Sequence, residues 1–227
     1  MTFDSKTAQS PKKAGLFRAL KSFGFFGVQK INNTLPKKRL NFNMRITING
    51  TPGSGKGTVS KYLAKKFRLK HYDIGEMRRE MAKKEGMSIW NLNKLGEKEA
   101  WTDRLVDNFQ KKLRKKENIL VDGRLAWHFI PNSIKILLTV KPEIGAKRIM
   151  KSRRKEEKYR SIKEGTKAVK ERLKSDIKRY KKYYGIKNLY DLRNYDIIID
   201  TSKMSIKQMK KAVERAVLRY QNKNLLR

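Results

Sequence analysis

From Arg45 onward, short apolar runs alternate along the chain with longer stretches whose apolar residues recur at helical spacing. A short apolar run bounded by charged or turn-forming residues predicts a buried strand. Five strands are predicted, at Arg45–Asn49, Leu69–Tyr72, Ile119–Asp122, Ile134–Val140 and Asp196–Asp200. Because helical patterns separate the strands, we expect them to run parallel in one α/β sheet.

Helical periodicity predicts the segments that connect these strands. They lie at 56–67, 75–86, 96–115, 142–154, 162–183 and 205–221. The apolar residues of the third segment form one stripe, made by Trp101, Leu105, Val106, Phe109 and Leu113. This spacing indicates a helix that buries a single face.

Residues 1–43 depart from this alternation. They contain nine basic residues and one acid, Asp4, which gives a net charge of +8. Their apolar residues recur only weakly at helical spacing, at Leu16, Phe17, Leu20, Phe23 and Phe26. Two interpretations stay open: a disordered or dispensable extension before a start at Met44, or a targeting or membrane-docking segment. The predicted domains are therefore an extension at 1–43 and one folded domain at 44–227.

The composition excludes several classes of site. Cysteine is absent, so disulfides, thiolate metal sites and a cysteine nucleophile are excluded. His71 and His128 are the two histidines, and they are too far apart in sequence for a HExxH zinc motif. No apolar run is long enough to predict a transmembrane helix.

The charge balance is strongly basic, with 58 Lys and Arg against 21 Asp and Glu and a net charge of +37. Such a charge suits a polyanionic partner: nucleic acid, anionic lipid or a phosphorylated metabolite. The alternative is a lysine-rich solvated surface, since Lys is the strongly hydrated cation and Arg is the planar phosphate ligand. We favour this alternative, so the positions of the arginines become the informative feature.

The strongest local motif is the loop Gly-Thr-Pro-Gly-Ser-Gly-Lys-Gly-Thr, which follows the first strand and opens a helix. Glycines let backbone N–H groups surround phosphate oxygens, and the helix N-terminus adds its positive end. Lys56 is positioned to reach the β- and γ-phosphates, as in a phosphate loop. The strict motif has Ser or Thr directly after the Lys, whereas here Gly57 precedes Thr58.

Two further patterns place charged residues at the expected edge of the sheet. The strand Ile119–Asp122 ends in an acid, as a Walker B strand does, and Gly123 and Arg124 follow it. Open α/β sheets bind ligands at the carboxyl ends of their strands, so Arg124 is expected to face a cleft. Arg172, Asp176 and Arg179 share one helix face at i, i+4 and i+7. On their own, these three residues would suggest a solvated, salt-bridged face.

These motifs, in this order, resemble those of nucleoside monophosphate kinases. Lys56-Gly57-Thr58 has the form common in that family, and Gly75-Glu76-Met77-Arg78-Arg79 looks like its acceptor motif. Arg79 takes the position of the family's phosphate ligand, and Arg78 replaces a residue that is usually apolar. Both arginines stay open as the phosphate ligand, with Arg79 ranked first. Asp-Gly-Arg at 122–124 and Arg-x-x-x-Asp-x-x-Arg at 172–179 are similar to the motifs of cytidylate kinases, and the segments 179–186 and 195–202 look like the archaeal type of that family.

The resemblance implies a role for each motif residue. The implied catalytic residues are Lys56, Arg124, Arg172 and Arg179. The implied ATP-binding residues are Gly50, Thr51, Pro52, Gly53, Ser54, Gly55, Lys56, Gly57 and Thr58, with Arg148 and Arg153 from a short lid. The implied acceptor-binding residues are Gly75, Glu76, Arg79, Asp122, Gly123, Arg124, Arg172 and Asp176. Thr58 and Asp122 would hold Mg²⁺ that arrives with ATP, partly through water.

The family also implies a fold and an activity. The fold is a three-layer α/β/α P-loop NTPase with a five-stranded parallel sheet. The activity is transfer of the γ-phosphate of ATP to CMP or dCMP by a cytoplasmic monomer that needs no nucleic acid and no transmembrane segment. Two alternatives stay open: a kinase for another acceptor, AMP or UMP, and a P-loop protein that binds nucleic acid.

Overall fold

The computed structural model describes residues 43–152 and 159–225. Five parallel strands form one sheet in the order β2-β3-β1-β4-β5. The strands are β1 (Arg45–Gly50), β2 (Lys70–Asp73), β3 (Ile119–Asp122), β4 (Ile134–Thr139) and β5 (Ile197–Asp200). The predicted parallel α/β sheet is therefore confirmed, with strand ends that differ from the predicted ones by at most one residue.

Helices connect the strands and cover the sheet. In the described residues they are α1 (Lys56–Lys66), α2 (Ile74–Lys84), α3 (Ile89–Lys98), α4 (Trp101–Leu113), α5 (Ala126–Phe129), α6 (Pro142–Lys151), α7 (Ile162–Tyr184) and α8 (Ile206–Leu225). A short 3₁₀ turn, Leu192–Asn194, precedes β5. No helix in the described ranges is long and apolar enough to cross a membrane.

The helix predicted at 96–115 is present as α4 but begins later than predicted, and most of α3, which ends inside that range, was not predicted. Ser88 caps α3 by accepting a hydrogen bond from the Asn91 N–H at 3.1 Å. Glu99 then adopts an extended backbone (φ −117°, ψ 117°), which ends α3 before α4 begins. The prediction also missed α5 and the 3₁₀ turn, since elements this short carry little periodicity.

The main core lies between one face of the sheet and the pair α1 and α8. Ile46 and Ile48 of β1 are fully buried, and they pack in one cluster with Leu63 of α1 and Val213 and Val217 of α8. Full burial of such a side chain stabilises the fold by about 1.5–3 kcal/mol. This core fixes α1, and therefore the loop before it, against the centre of the sheet.

The strand order determines where a ligand can bind. Because β1 pairs with both β3 and β4, the chain crosses from one side of β1 to the other. The carboxyl ends of β1 and β3 meet at one edge, with Ile48 in register with Asp122. Ligands of open α/β sheets bind in the crevice at such a point.

Residues 1–42, which hold nearly all of the predicted extension, lie outside the described residues. Met44 lies inside them, and its side chain is buried in the main core.

Candidate active site

The loop between β1 and α1 has the backbone of a phosphate cradle. Gly53 and Gly55 have φ angles of 79° and 84°, in the left-handed region that favours glycine. The Thr51 N–H donates to Leu138 O of β4 at 3.0 Å, which ties the loop to the sheet. The first turn of α1 has no acidic residue and no side-chain cap, so its N–H groups face the loop as an anion site.

A glycine in α6 supports this loop from outside. A Cβ on Gly53 would lie 2.4 Å from Gly145 Cα, and a Cβ on Gly145 would lie 2.5 Å from Pro52 O. Because backbone atoms are on both sides of this contact, neither glycine tolerates a side chain without moving the loop. Sequence reasoning missed Gly145, although a glycine inside a predicted helix was a usable signal.

Lys56 and Asp122 form an ion pair that joins the loop to the end of β3. Asp122 is 1% exposed, and its Oδ2 accepts a hydrogen bond from the Ser60 hydroxyl at 3.1 Å. The pair holds the ammonium group at the mouth of the phosphate loop. Ser60 was not predicted, though it lies one turn after Lys56 on α1 and so shares its helix face.

A cleft of about 560 Å³ opens beside this pair and contains most of the predicted residues. The whole predicted phosphate loop lines it, together with Gly75, Arg79, Asp122, Arg124, Arg148 and Arg172. Four other predicted residues do not line it: Glu76, Gly123, Asp176 and Arg179. Arg153 lies outside the described residues.

On the acceptor side, the structure separates the two arginines of α2. Arg79 lines the cleft and donates to Glu76 Oε2 at 2.5 Å. Arg78 is buried, and it donates to Asp103 Oδ1 at 2.6 Å and to Asn93 Oδ1 at 3.1 Å. Glu76 thus orients Arg79, and Arg78 fastens α2 to α3 and α4.

The acidic residue of α7 connects the cleft to the interior. Asp176 pairs with Arg124 Nε through Oδ2 and with Arg179 Nη2 through Oδ1, the latter at 3.2 Å. Asp176 and Arg179 are 2% and 1% exposed, so a solvated face, the alternative open from sequence, is wrong for these two residues. Arg179 also lies 3.3 Å from Asp103 Oδ2. Its charge is therefore compensated by carboxylates inside the protein, next to Asp176, which orients Arg124.

Arg124 stays positively charged in this network. Burial is the largest single influence and disfavours its charge, but the Asp176 carboxylate together with Tyr180 and Tyr190 outweighs burial and raises the pKa of Arg124 above its usual value. A guanidinium held by a carboxylate on one side and facing the cleft on the other is suited to bind phosphate oxygens.

At the opposite end of the cleft, Arg148 ties two loops together. Its guanidinium donates to Thr201 O at 2.7 Å, to Met204 O at 3.0 Å and to Gly53 O at 3.4 Å. The loop after β5 is thereby held against the phosphate loop. Met204, Ile206 and Met209, which sequence reasoning did not find, give this end of the cleft an apolar wall.

The residues present fit a magnesium ion that is held mainly by phosphates. Thr58 lines the cleft, and Asp122 lies beside the loop, since a Cβ at Gly57 would be 3.8 Å from its Oδ2. Oxygen ligands of this kind suit Mg²⁺. Within the described ranges no group of three or more His, Cys, Asp or Glu side chains forms a metal cluster. Phosphate and water oxygens would have to complete the ligand set.

The chain is similar to known proteins in both sequence and fold. The chain matches a family model described as an AAA domain over residues 46–174. It is 38% identical to a cytidylate kinase of Methanocaldococcus jannaschii over 179 residues, 77% of this chain and 97% of that relative. It is 39% identical to a cytidylate kinase of Methanosarcina mazei over 164 residues, 70% of this chain and 88% of that relative.

The fold also occurs in a solved structure of low sequence identity. Shikimate kinase from Bacteroides thetaiotaomicron superposes with a TM-score of 0.52 at 17% identity, over 79% of this chain and 97% of that one. Likeness at this identity shows the fold alone.

Proposed function

Because the chain belongs to the archaeal cytidylate kinase family, we propose that it transfers the γ-phosphate of ATP to CMP or dCMP, giving CDP or dCDP. One observation carries the proposal: a phosphate loop with its Lys56–Asp122 pair and a second group of arginines line the same cleft. A protein that only binds a nucleotide needs one phosphate site. Two such sites in one cleft suit the donor and the acceptor of a phosphoryl group.

In the proposed reaction, the protein acts by position and charge. Phosphoryl transfer passes through a loose transition state with charge on the equatorial oxygens, and fixed cations stabilise that charge. Lys56 would contact the β- and γ-phosphates from the loop. Arg79, Arg124 and Arg172 would hold the acceptor phosphate so that its oxygen attacks in line.

Two carboxylates, the buried Asp176 and the exposed Glu76, keep the acceptor arginines oriented. Asp176 holds Arg124, and Glu76 holds Arg79, so both guanidinium groups are in place before a nucleotide arrives. Preorganised charges of this kind cost little reorganisation during the reaction. Arg179 is proposed to act through Asp176, since its guanidinium does not line the cleft.

A magnesium ion that arrives with ATP would be held by Thr58 and, through water, by Asp122. When bound, it would supply positive charge that offsets the negative charge of the transferring phosphate.

Other predicted properties belong to the same proposal. Action as a monomer stays a prediction. The folded unit is proposed to be residues 44–227, in accord with a family match that begins at residue 46. Action in the cytoplasm stays a prediction.

The test is ADP formation with each monophosphate in turn: CMP, dCMP, UMP and AMP. We expect kcat/KM to be highest for CMP or dCMP. A preference for AMP or UMP would assign the same fold to another acceptor. Absence of turnover with all four, in a folded protein, would contradict the kinase proposal and favour the nucleic-acid-binding alternative.

The assignment of a donor side and an acceptor side of the cleft is tested by measuring ATP binding and acceptor use separately. Arg124→Ala and Arg172→Ala should raise the KM for the acceptor and leave the Kd for ATP nearly unchanged. Arg215→Ala, an exposed arginine of α8, is the matched control. If ATP affinity collapses while the acceptor KM holds, the donor and acceptor sides have been reversed.

A further inference from the structure

We propose that the outer face of α7 is a binding surface for the sugar–phosphate backbone of double-stranded nucleic acid. This surface, the lysine stripe, consists of exposed lysines on one helix. They are Lys163, Lys167, Lys170, Lys174, Lys178 and Lys181. At 3.6 residues per turn, their spacing places all six within an arc of about 80°, along about 27 Å of helix.

The stripe lies on the side of α7 opposite its buried residues. Gly165, Val169, Asp176 and Tyr180 face the interior, and their mean direction around the helix is roughly opposite to that of the lysines. The face that holds the cleft network and the face that carries the stripe are therefore different. A polyanion on the stripe would leave the nucleotide cleft open.

Few carboxylates accompany these lysines. Among the described residues of α7, Glu164 and Glu171 are the exposed acids, and both project at the margin of the stripe. Lys178 Nζ lies 3.7 Å from Glu97 Oε2 of α3, at one end. The stripe therefore keeps a large net positive charge along most of its length.

Lysine-rich composition alone does not produce this alignment. Helix α8 also exposes five basic residues, at Lys207, Lys211, Arg215, Arg219 and Lys223. Because each follows the last by four residues, they turn through about 160° around the helix. The alternation of three- and four-residue steps in α7 is what keeps its lysines in line.

The chemistry of the stripe favours a duplex backbone over other polyanions. Duplex DNA carries about one charge per 1.7 Å of axis, so 27 Å of duplex contains about 16 phosphates, and those on the side that faces α7 can pair with the six lysines. Ile162 is the one exposed large apolar residue described in α7, too little for a membrane-inserting face or a protein interface core. No aromatic residue lies between Lys163 and Lys178 to stack on single-stranded bases.

The test compares two triple variants of the full chain. Lys167→Gln, Lys170→Gln and Lys174→Gln remove the centre of the stripe. Lys207→Gln, Lys211→Gln and Lys223→Gln remove the same charge from α8. Binding to 24-base-pair duplex RNA, duplex DNA and single-stranded RNA is measured by fluorescence anisotropy, from about 50 to 200 mM salt. Vesicles containing phosphatidylglycerol are the lipid probe, and CMP kinase activity is measured for every variant.

Six phosphate contacts should cost the unmodified chain about 10³-fold in duplex affinity over this salt range. The α7 variant should lose affinity, and its slope of log K against log salt should flatten by about 2.7, or 0.9 for each contact. The α8 variant should keep the original slope. The DNA and RNA arms show which duplex the surface prefers.

Three outcomes would overturn the proposal: no duplex binding at low salt, equal losses in both variants, or a loss confined to vesicle binding. Both variants should keep their kinase activity, because none of these lysines lines the cleft. A chain without kinase activity that still binds duplex through α7 would overturn the proposed function and leave this inference standing.

Discussion

At the scale of single residues, the Asp122 carboxylate connects the donor side of the cleft to the sheet. It is buried at the end of β3, where it contacts the Lys56 ammonium and the Ser60 hydroxyl. A carboxylate this buried is stable only when it is paired. In the proposed reaction, the same pairing positions Lys56 for the phosphates of ATP.

Lys56→Ala should nearly abolish transfer, and it should also lower the stability of the fold, because the buried Asp122 carboxylate loses its paired cation. The ammonium compensates charge that shifts during transfer, and loss of such a contact costs about 2.7–4 kcal/mol, or 10²–10³ in kcat. Steady-state kinetics give the rate, and circular dichroism checks the fold. Lys65→Ala, an exposed lysine of the same helix, should match the unmodified chain. Near-normal turnover in a folded Lys56→Ala variant would contradict the assignment.

Asp107 is a residue whose burial should appear in the pH dependence of stability. It lies on α4, and it accepts hydrogen bonds from the Tyr184 hydroxyl and, at 3.4 Å, from Gln110 Nε2. Burial raises its pKa from 3.8 to about 6. The folded protein therefore binds this proton more tightly than the unfolded chain does. Below about pH 4, Asp107 is protonated in both states and does not lower the free energy of unfolding. As pH rises to about 6, its carboxylate lowers the free energy of unfolding progressively.

Asp107→Asn should therefore stabilise the protein above pH 6, by about 3 kcal/mol or less, since a shift of one unit is about 1.4 kcal/mol. Below pH 4 the two proteins should be equally stable. Urea unfolding at pH values from 4 to 8 measures this difference. Asp191, whose pKa is lowered by its hydrogen bonds with Arg193, should show the opposite sign when changed to Asn. A constant difference between Asp107→Asn and the unmodified chain at all pH values would contradict the argument.

At the scale of elements, α7 contributes residues to the cleft and the interior on one face and exposes lysines to solvent on the other. Ser161 caps its start by accepting from the Glu164 N–H at 3.2 Å, and Gly185 ends it in the left-handed conformation. Between these ends, one face supplies Arg172 to the cleft and buries Asp176 and Arg179. The opposite face carries the lysine stripe.

Asp176→Asn should destabilise the protein by about 3 kcal/mol, because it leaves the buried positive charge of Arg179 with less compensation. It should also raise the KM for CMP and leave the Kd for ATP nearly unchanged, since Arg124 loses its orienting partner. Chemical unfolding and separate nucleotide titrations measure the two effects. Asp191→Asn removes an ion pair with the exposed Arg193, so it should lower stability only slightly and leave the KM for CMP unchanged. Equal stability of both variants would return Asp176 to the class of surface salt bridges.

At the scale of the whole molecule, the topology assembles the site from distant segments. Strand β1 lies between β3 and β4, so the phosphate loop meets Asp122 on one side and the α6 helix on the other. The acceptor residues come from α2, α7 and the end of β3. No single segment contains both halves of the cleft.

Deletion of residues 1–43 should leave kcat, KM and the thermal midpoint nearly unchanged. The first strand begins at Arg45, and the cleft residues described all follow it. A chain that starts at Met44 keeps that buried side chain and its N–H near Asn118 Oδ1, at 3.4 Å. Kinetics and thermal unfolding of the two chains check this. A large drop in midpoint would show that the removed segment stabilises the folded domain.

The sequence by itself determined the features that depend on neighbouring residues. Strand and helix periodicities, and the glycines of the phosphate loop, are local properties of the backbone, and they predicted the parallel sheet and the loop-helix junction. The break at Glu99 and the short helix α5 escaped prediction, because each rests on a few residues whose conformation the rest of the fold selects.

Only the tertiary structure decided which charged residues face the cleft and which are buried. Arg78 and Arg79 are adjacent in sequence, yet one fastens helices and the other lines the cleft, since α2 packs one of its faces against α3 and α4. Asp176 meets Arg124, and Gly145 meets the phosphate loop, across long separations in the chain. These contacts depend on how whole helices and strands pack against each other. That packing is determined by the burial and charge of residues far apart in sequence, so no local pattern predicts it.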